Sequence, residues 1–549
     1  MNLLVNLLLS VIIYQSPIHY EISLAGNFGE PRPNHFHGGV DIKTGGVEGK
    51  PIFSIGDGYI ACVTVGIGGY GNAVYIRHPE GYTSVYAHLK RFAPQVEANV
   101  KQWQYAHQSA NGTMVFPPTA MPVSRGQLIA VSGNSGASQA PHLHLEIHHT
   151  HSWDMMDPLD FIGKYVKDEL PPMAHGFMAY PILGEGQFCG GMAKQSFPFT
   201  SYSLSRKFTA WGKVGFGLWA NDYMEITYNR YGVKKTELYV DGVLVFKSDI
   251  KRIPVDLNLM VNSWGDYEHF LKYHVWYMRS YVMPGVSLPV FMTNKNGGVV
   301  DFNQEKDYLL TYVLTDFKGN ERRYSFTVAA KRTSLGKQSI SLSSHPLRTL
   351  KWNIPNCYQL PGMQLSFGAG FIAKNMELSP TIKHGMYSDQ YSFTRSSFPL
   401  FHYSNLSIKL KKNVDDHSKL YIVSHSLHDR FAGGHYENGW VHGKIRELGA
   451  VYEIAYDDVP PVITPINQSV WSSRCMITLG INDKQSGIES YKGYIDDKFV
   501  LFKEVPRSPW VRCNLRETPV RQTGELHQFR FVLKDNRGNV RMFTSQIKY

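Results

Sequence analysis

Cysteine is scarce in this chain, and no two of its five cysteines form a Cys-x-x-Cys pair. Structural zinc sites are usually rich in cysteine, so the sequence disfavours a structural zinc site. Cys475 and Cys513 fall in the same terminal segment and are candidates to pair in an oxidising compartment. The other three are expected to be buried thiols, at Cys62, Cys189 and Cys357.

Several catalytic signatures are also missing. The chain has no His-Glu-x-x-His helix, no Gly-x-Ser-x-Gly elbow and no convincing Cys–His nucleophile pair. The glycine-rich stretch 66–72 does not open a helix and lacks the Lys-Ser/Thr of a P-loop. A hairpin loop is therefore the better interpretation of that stretch.

Long hydrophobic runs are absent too, and positive charge exceeds negative charge. The apolar run 1–13 is too short to span a bilayer and resembles the core of a secretory signal, although no Lys or Arg precedes it. We therefore expect an exported protein of the periplasm or cell envelope. The net charge of +11 favours an anionic envelope polymer as partner. The Lys and Arg residues are scattered, so we expect no nucleic-acid partner.

The length and composition predict several β domains. At 549 residues the chain is too long for one core, and segments rich in Thr, Val and Tyr predict a mainly β protein. The best candidate for a short helix is 92–104. The predicted organisation is a signal segment at 1–16, an N-terminal domain at 17–170, β-sandwich domains at 175–335 and 463–549, and a β-rich domain at 340–457.

A short internal repeat supports the two sandwiches. Segment 239–247 resembles 494–503, and segments 313–320 and 532–539 both end in Asp-x-x-Gly-Asn. Such a turn between alternating strands is typical of a hairpin. The pattern is Ig-like by analogy.

Histidines alternate with leucines in segment 142–147. Leu143 and Leu145 occupy one face of a predicted half-buried strand, and His142 and His144 occupy the other. The two histidines are then two residues' rise apart, roughly 6–7 Å. One can bind a metal while the other stands beside the metal or over the substrate.

Two further segments add candidate site residues. His37 and Asp41 are separated by flexible glycines, and a distant histidine would complete an N, N, O donor set that zinc accepts in a catalytic site. His88 ends the alternating segment 84–88, in which Ser84, Tyr86 and His88 are expected to share one face. His88 therefore looks like a site-facing residue of a central strand. An imidazole there suits general-base or proton-shuttling work.

These residues resemble the motifs of the M23 zinc metallopeptidases, the lysostaphin-like or LytM-type peptidoglycan endopeptidases. The resemblance covers about 24–162 and rests on HxxxD at 37–41, the YxHL-like 86–89 and HxH at 142–144. The supporting matches are 55–58, 69–72 and 125–129. The matching order of these motifs within one domain makes the resemblance specific. It implies a lysostaphin-like antiparallel β domain.

The resemblance also implies roles for the five residues. His37, Asp41 and His144 would bind one Zn²⁺, which polarises the scissile carbonyl and lowers the pKa of its water toward ~7. His88 and His142 would handle protons, and spacing does not tell which is the base. Ala140 stands where the family often has glycine.

Some alternatives remain open. His35 is a weaker candidate for the role of His37, and the histidines at 148, 149 and 151 are expected at an exposed strand end. The insert 92–123 carries Trp103 and Tyr105. Their side chains are expected either to line a wall of the substrate groove or to pack within the insert.

The sequence thus predicts an exported zinc endopeptidase that cuts peptide cross-links of peptidoglycan, with an envelope protein as a possible partner of the C-terminal β domains. The first alternative is an inactive metallopeptidase-like module that binds the wall or activates another hydrolase. The second is a zinc peptidase that acts on proteins. The large accessory region suggests latency, in which case truncation after about residue 170 would raise activity.

Overall fold

The computed structural model describes residues 14–66, 68–335, 349–394, 398–426 and 428–549. The apolar run 1–13, predicted to be a secretory signal, lies outside these residues. Within the described ranges, no helix has the length and hydropathy needed to cross a bilayer.

The N-terminal region, residues 14–170, consists of short strands and two helices. Its strands are β1 (Leu24–Gly26), β2 (Pro31–Arg32), β3 (His35–Phe36), β4 (Val40–Lys43), β5 (Pro51–Phe53), β6 (Gly58–Val65), β7 (Ala73–Arg77), β8 (Tyr82–Ala87), β9 (Leu89–Phe92), β10 (Gly112–Val115), β11 (Pro122–Val123), β12 (Leu128–Ser132), β13 (His142–His149) and β14 (Met155–Met156). Its helices are α1 (Pro94–His107) and α2 (Leu159–Ile162).

Strand β13 lies inside the main antiparallel sheet of this region, whose order is β1-β4-β13-β8-β7-β6-β10. Leu143 and Leu145 are buried in the core, as the period-two pattern predicts. Asp41 of β4 and Ala87 of β8 lie directly opposite His144 on its two sides. The register therefore brings residues from distant parts of the sequence to one place on the sheet.

Helix α1 follows β9 and forms most of the insert. Pro94 begins the helix, where its missing N–H costs nothing, and Gln108 ends it in a left-handed conformation at φ 47°. The sequence predicted this helix a little early, at 92–104. Val96 and Val100 point into the core of the region.

The second region, residues 173–335, is dominated by long strands. They are β15 (Met173–Phe188), β16 (Gln195–Pro198), β17 (Ser203–Met224), β18 (Thr227–Tyr231), β19 (Lys235–Val240), β20 (Val243–Asp249), β21 (Arg252–Ile253), β22 (Met278–Arg279), β23 (Phe291–Thr293), β24 (Val300–Phe302), β25 (Asp307–Thr315) and β26 (Glu321–Ala330). The helices are α3 (Val261–Trp264) and α4 (Tyr267–Tyr273). The sheet runs β16-β15-β17-β26-β25-β19-β20-β23.

The first two regions share a core. Tyr231 is fully buried among the apolar residues of the N-terminal region, and its hydroxyl donates to the Leu24 carbonyl oxygen at 2.8 Å. Asn27 exchanges two hydrogen bonds with Gly232, at 2.7 and 2.9 Å. Truncation after about residue 170 would remove these contacts and expose the N-terminal core, so it is not a clean test of latency.

The β2–β3 hairpin also contacts the second region. The Phe36 amide donates to Asn258 Oδ1 at 2.6 Å, and the Asn34 amide donates to Asn262 Oδ1 at 3.1 Å. The Phe36 ring packs near Trp264. The position of this hairpin therefore depends on side chains more than 200 residues away in sequence.

A buried charge cluster across this junction predicts a stability effect. Lys234 Nζ lies 2.6 Å from Asp157 Oδ2 and 2.7 Å from Asp160 Oδ1. Lys234→Met would leave the buried Asp157 carboxylate uncompensated, so we expect the free energy of unfolding at pH 7 to fall by about 3–5 kcal/mol. Chemical denaturation measures this loss.

The neighbouring variant Lys235→Met is the control. Lys235 lies 3.5 Å from Glu237, which keeps a second partner in Lys247, so this variant should lose less than about 1 kcal/mol. Burial raises the pKa of Asp157. The loss in Lys234→Met should therefore shrink as the pH falls and Asp157 takes up a proton. A loss that is independent of pH would contradict this explanation.

The third region, residues 349–457, contains two five-stranded sheets, β28-β29-β33-β37-β36 and β31-β32-β38-β34-β35. The strands are β27 (Thr349–Leu350), β28 (Asn356–Leu360), β29 (Met363–Phe367), β30 (Met376–Glu377), β31 (Thr381–His384), β32 (Asp389–Ser392), β33 (Pro399–Lys409), β34 (Leu420–His425), β35 (Arg430–Phe431), β36 (His435–Glu437), β37 (Trp440–Glu447) and β38 (Val451–Tyr456).

The fourth region, residues 462–549, is a sandwich of the four-stranded sheets β39-β40-β44-β43 and β42-β41-β45-β46. It contains helix α5 (Trp471–Arg474) and strands β39 (Val462–Pro465), β40 (Met476–Asn482), β41 (Ile488–Ile495), β42 (Lys498–Val500), β43 (Lys503–Glu504), β44 (Trp510–Asn514), β45 (Leu526–Asp535) and β46 (Val540–Lys548). Across the described residues the short 3₁₀ helices are Gly163–Tyr165, Val255–Met260, His417–Lys419, Gln468–Val470 and Leu515–Glu517.

The prediction of a mainly β chain, with an antiparallel β domain at the N-terminus followed by further β domains, is confirmed. The exact domain limits stay predictions; Tyr14, assigned from the sequence to segment 1–16, is buried in the N-terminal core. Both Asp-x-x-Gly-Asn segments connect antiparallel neighbours, β25 to β26 and β45 to β46.

The cysteine predictions are wrong. Cys62 and Cys189, expected to be buried, are only partly buried. Cys475 and Cys513 are buried but free, so the predicted pair is not formed. Cys357 is exposed rather than buried, because it lies on the solvent side of β28.

Candidate active site

Two adjacent strands bring the predicted metal ligands together. His37 lies just before β4, Asp41 lies within β4, and His144 lies opposite Asp41 on β13. The glycines after His37 permit this approach: a Cβ atom on Gly39 would lie 2.2 Å from the Leu145 carbonyl oxygen. Any larger residue would push β4 away from β13.

The three predicted ligands converge through three atoms. His37 Nε2 lies 3.0 Å from Asp41 Oδ1 and 3.1 Å from His144 Nδ1, and His144 Nδ1 lies 2.7 Å from Asp41 Oδ1. All three side chains are buried. Tetrahedral zinc with bonds of about 2.0–2.2 Å holds its ligand atoms roughly 3.3 Å apart. The spacing and the donor set therefore fit a zinc ion.

Hydrogen bonds on the far side of each imidazole fix its tautomer. His37 Nδ1 lies 2.7 Å from the Asn27 carbonyl oxygen, and His144 Nε2 lies 2.8 Å from Glu146 Oε1. Both atoms must donate, because a carbonyl and a carboxylate only accept. In the neutral rings, the lone pairs of His37 Nε2 and His144 Nδ1 then face each other and Asp41 Oδ1. Only a shared cation or proton relieves that repulsion.

The pKa values of His37, His144 and Asp41 are all shifted by their burial and by one another. Burial lowers the pKa of His37 to about 4 despite the nearby Asp41 carboxylate. Burial also lowers the pKa of His144, but hydrogen bonds to Asp41 and Glu146 outweigh it and raise that pKa to about 9. Burial disfavours the Asp41 anion, yet the surrounding histidines hold its pKa well below its usual range. A proton and a metal therefore compete for His144 Nδ1.

His88 and His142 stand beside the three ligands. His142 Nε2 lies 3.3 Å from Asp41 Oδ1, and the His88 ring centroid lies 4.8 Å from that of His142 and 5.6 Å from that of His144. Burial, and then repulsion by the neighbouring imidazoles, lowers the pKa of His88 to about 4. The structure thus brings all five predicted residues to one place.

His88 reaches the site by a different route from the one predicted. Strand β8 ends at Ala87, and the Tyr86 side chain is buried in the core, so Tyr86 and His88 do not share a face. His88 has a left-handed backbone at φ 60°, and its amide donates to the Tyr70 carbonyl oxygen at 2.9 Å. This turn at the strand end directs the imidazole to the site.

The alternative histidines are placed away from the ligands. His35 is exposed on β3, with Nδ1 3.1 Å from the Pro33 carbonyl oxygen. The expectation that His148 sits at an exposed strand end is wrong, since it is 2% exposed and stacks on Trp153. Its side chain follows the same strand face as His144 into the protein. His151 is exposed, as expected.

A buried carboxylate that the sequence did not single out organises this face. Glu146 accepts hydrogen bonds from His144 Nε2 at 2.8 Å, His148 Nε2 at 2.6 Å and the Tyr70 hydroxyl at 2.6 Å. Those contacts hold the pKa of Glu146 well below its usual range despite burial. Its position two residues after His144 on one strand is the signal that indicates this role.

Arg32 and Glu30 lie near Asp41, and no pattern in the sequence indicates this role for them. Arg32 Nη2 donates to Asp41 Oδ2 at 2.8 Å, which leaves Oδ1 facing the histidines. Glu30 is near Arg32, and burial raises its pKa to about 7. No local pattern points to either residue, because both come from the β2–β3 hairpin region and approach Asp41 only in the folded chain, Arg32 through a hydrogen bond and Glu30 through its charge.

Glu146→Gln is expected to weaken metal binding about 10–100-fold, because the residue orients a ligand imidazole and increases its basicity. Competition with a chromogenic chelator measures the change. Glu48→Gln is the matched control, since Glu48 is exposed and forms an ion pair with Lys90 at 3.2 Å. Equal affinity in the two variants would contradict the role of Glu146.

The aromatic residues of the insert do not line the site. Trp103 stacks on His107 and packs against the N-terminal core. Tyr105 instead contacts the fourth region: its hydroxyl donates to the Glu517 carbonyl oxygen at 3.3 Å and its ring packs against Phe499. The insert therefore supports a contact between regions.

Comparisons with known proteins agree with this geometry. Peptidase family M23 matches residues 35–109, and a Zu5-like domain matches residues 347–457. An uncharacterized metalloprotease of Haemophilus influenzae is 32% identical over 112 residues, which are 20% of this chain and 18% of that protein. The DD-carboxypeptidase/endopeptidase Mpg of Neisseria meningitidis is 34% identical over 110 residues, 20% of this chain and 19% of Mpg.

Lipoprotein NlpD of Yersinia enterocolitica is covered more fully. It is 31% identical over 102 residues, which are 19% of this chain and 80% of the lipoprotein. The catalytic domain of lysostaphin from Staphylococcus simulans is 24% identical, with a TM-score of 0.20, and the match covers 26% of this chain and 91% of that domain. Through its N-terminal region the chain belongs to peptidase family M23. It spans only about a fifth of the first two relatives.

Proposed function

We propose that this chain is an exported zinc endopeptidase that hydrolyses peptide cross-links of bacterial peptidoglycan. One observation carries the proposal: the lone pairs of His37 Nε2, His144 Nδ1 and Asp41 Oδ1 converge within 3.1 Å of one another. When bound there, zinc would polarise a scissile carbonyl and lower the pKa of a water molecule toward ~7.

His142 and His88 are suited to move the protons of this reaction. His142 Nδ1 lies 2.8 Å from the Ala140 carbonyl oxygen, and His88 Nδ1 lies 2.8 Å from the Ser135 carbonyl oxygen. Each Nδ1 therefore donates, and each Nε2 is left able to accept a proton. Either histidine can take a proton from water and return it to the leaving amine.

Three observations support wall peptides as the substrate. The N-terminal region is similar to Mpg, whose name describes a carboxypeptidase and endopeptidase, and to the lipoprotein NlpD. The net charge of +11 favours an anionic polymer. An exported location, with the later β regions holding the enzyme against the wall or an envelope protein, agrees with all three.

Metal analysis and a three-substrate digest test this proposal. Purified cross-linked muropeptides, a glycine-rich peptide and a denatured protein are each incubated with the zinc-loaded chain and analysed by mass spectrometry. We expect about one zinc per chain and cleavage of the muropeptides only. Cleavage of the denatured protein alone would favour a protein peptidase. Zinc binding with no cleavage of any substrate would favour a non-catalytic module.

The fourth region touches the loop that leads into His142. Arg507 Nη2 donates to the Ser138 carbonyl oxygen at 2.7 Å. The Ser138 hydroxyl donates to the Ala140 carbonyl oxygen at 2.9 Å and lies 3.2 Å from His142 Nδ1. This contact supports latency, in which the fourth region restrains one rim of the site.

Arg507→Ala is therefore expected to raise kcat/KM on cross-linked muropeptides by about tenfold, equivalent to about 1.4 kcal/mol, because a charged hydrogen bond across the rim is removed. The activity of the purified full chain measures this. Arg521→Ala, on an exposed position of the same region, should leave kcat/KM unchanged. An unchanged or lower kcat/KM in Arg507→Ala would argue against latency at this contact.

A further inference from the structure

Three buried aspartates meet where the N-terminal and second regions join. Asp168 lies in the connection between the regions, Asp222 lies near the end of β17, and Asp316 opens the turn between β25 and β26. Each offers a carboxylate oxygen within 4.8 Å of the others. The residues are only 5%, 1% and 5% exposed. Such proximity of buried carboxylates is costly without a positive charge among them.

Two oxygens of this cluster find no hydrogen-bond donor among the described residues, Asp168 Oδ2 and Asp222 Oδ1, and both are fully buried. The other Asp168 oxygen accepts from the Leu170 amide at 3.1 Å. A buried carboxylate oxygen without a donor costs free energy, so these two atoms indicate a ligand that the protein itself does not supply.

The third carboxylate is held rigidly. Asp316 Oδ1 accepts from the amides of Lys318, Gly319 and Asn320 at 2.7–2.9 Å, and Asp316 Oδ2 accepts from Asn320 Nδ2 at 2.7 Å. The Lys318 ammonium donates to the Gly163 carbonyl oxygen at 2.9 Å. The turn thus positions one carboxylate in advance beside the two with free oxygens.

The close approach of the three carboxyl groups raises the pKa values of two of them. Burial, and then repulsion by the neighbouring aspartates, raises the pKa of Asp222 to about 9. Burial raises the pKa of Asp168 to about 7, with Asp316 adding to the increase. A cation would remove this repulsion.

The same three elements occur a second time in the chain. The repeated patterns are Asp-x-x-Pro-Pro at 168–172 and 457–461, Asn-Asp at 221–222 and 482–483, and Asp-x-x-Gly-Asn at 316–320 and 535–539. Asp457, Asp483 and Asp535 also lie within 4.8 Å of one another. Here, however, the Ser486 amide donates to Asp457 Oδ2 at 3.1 Å, and two amides donate to Asp483 Oδ1. This second triad is therefore a natural comparison for the first.

We propose that Asp168, Asp222 and Asp316 bind a calcium ion that ties the interregional connection to the second region. The three residues offer only oxygen donors, which calcium and magnesium prefer over softer ligands. Calcium accepts carboxylates in flexible geometry with 6–8 oxygens, whereas magnesium needs a near-ideal octahedron and retains water. A buried triad with one rigid and two partly unpaired carboxylates fits calcium better.

Calorimetric titration of Ca²⁺ into the zinc-loaded full chain tests the proposal, together with melting temperatures in Ca²⁺ and in chelator. We expect Ca²⁺ to bind and to raise the melting temperature. Asp222→Asn should weaken Ca²⁺ binding at least tenfold and abolish the Ca²⁺-dependent rise. Asp483→Asn, the matched variant in the second triad, should retain both.

Asn has nearly the shape of Asp, and Asp222→Asn replaces a carboxyl group whose ionisation is disfavoured by burial and by the neighbouring aspartates with a neutral amide. In chelator this variant should therefore melt no lower than the unchanged chain, which separates loss of binding from failure to fold. His144→Ala should still bind Ca²⁺, because the peptidase site is separate. No Ca²⁺ binding by the unchanged chain, or equal binding by Asp222→Asn, would overturn the proposal. Loss of binding in Asp483→Asn alone would also overturn it.

Discussion

His144→Ala is expected to lose both the bound zinc and all measurable hydrolysis. His144 Nδ1 is the point where His37 and Asp41 meet, and its Nε2 donates to Glu146. Loss of a residue that merely supports a ligand costs about 10–100-fold in metal affinity, so loss of the ligand itself should exceed that range. Metal analysis after gel filtration and muropeptide digestion measure the two effects.

His151→Ala is the control for this variant, because His151 is an exposed histidine of the same His-rich segment. It should keep about one zinc per chain and full activity. Circular dichroism of both variants shows whether the fold is retained. Zinc retained by a folded His144→Ala would remove the basis of the proposed site, and hydrolysis retained without zinc would disprove a zinc mechanism.

His142→Ala and His88→Ala are expected to separate catalysis from metal binding. Both residues present an acceptor nitrogen next to the ligands and stand outside the group His37, Asp41 and His144, although each also offers a nitrogen within 4.8 Å of one on His144. Each variant should therefore keep its zinc and lose about 10²–10⁴-fold in kcat, the usual contribution of a positioned acid or base. Zinc content and kcat are measured on the same preparation.

The comparison between these two variants assigns the roles that spacing leaves open. The histidine that serves as the base should take the acidic limb of the pH–rate profile with it when it is replaced. Loss of zinc in either variant would make that histidine a ligand instead. Unchanged kcat in both would leave the proposed proton transfer without a group to perform it.

The five site residues could be identified from the sequence. The residues that hydrogen-bond to them and hold them in position could not. Alternation in 142–147 predicted that Leu143 and Leu145 face the core while His144 faces the site, because a strand has a fixed period of two. His88 did not follow this rule, since the strand ends one residue earlier and the backbone turns to φ 60°. Alternation carries no information beyond the end of a strand.

The other unpredicted features depend on contacts between residues far apart in the sequence. Arg32 reaches Asp41, and Tyr231 fills the N-terminal core, only because distant segments fold against each other. The Asp-x-x-Gly-Asn repeat was visible in the sequence, yet Asp168 and Asp222 were not associated with it. Those two residues lie in a connection and in a long strand, and only the tertiary structure brings them to the repeated turn.

The contacts of the β2–β3 hairpin limit how the N-terminal region can be fused to other domains. One side of the hairpin supplies Arg32 to Asp41, and on the other side its backbone amides donate hydrogen bonds to Asn258 and Asn262. A peptidase segment cut out and fused to an unrelated neighbour would lose the groups that seat this hairpin. The N-terminal region is therefore not an independent segment that ends at the interregional connection, and a graft that keeps the site intact must include the surface around Asn258.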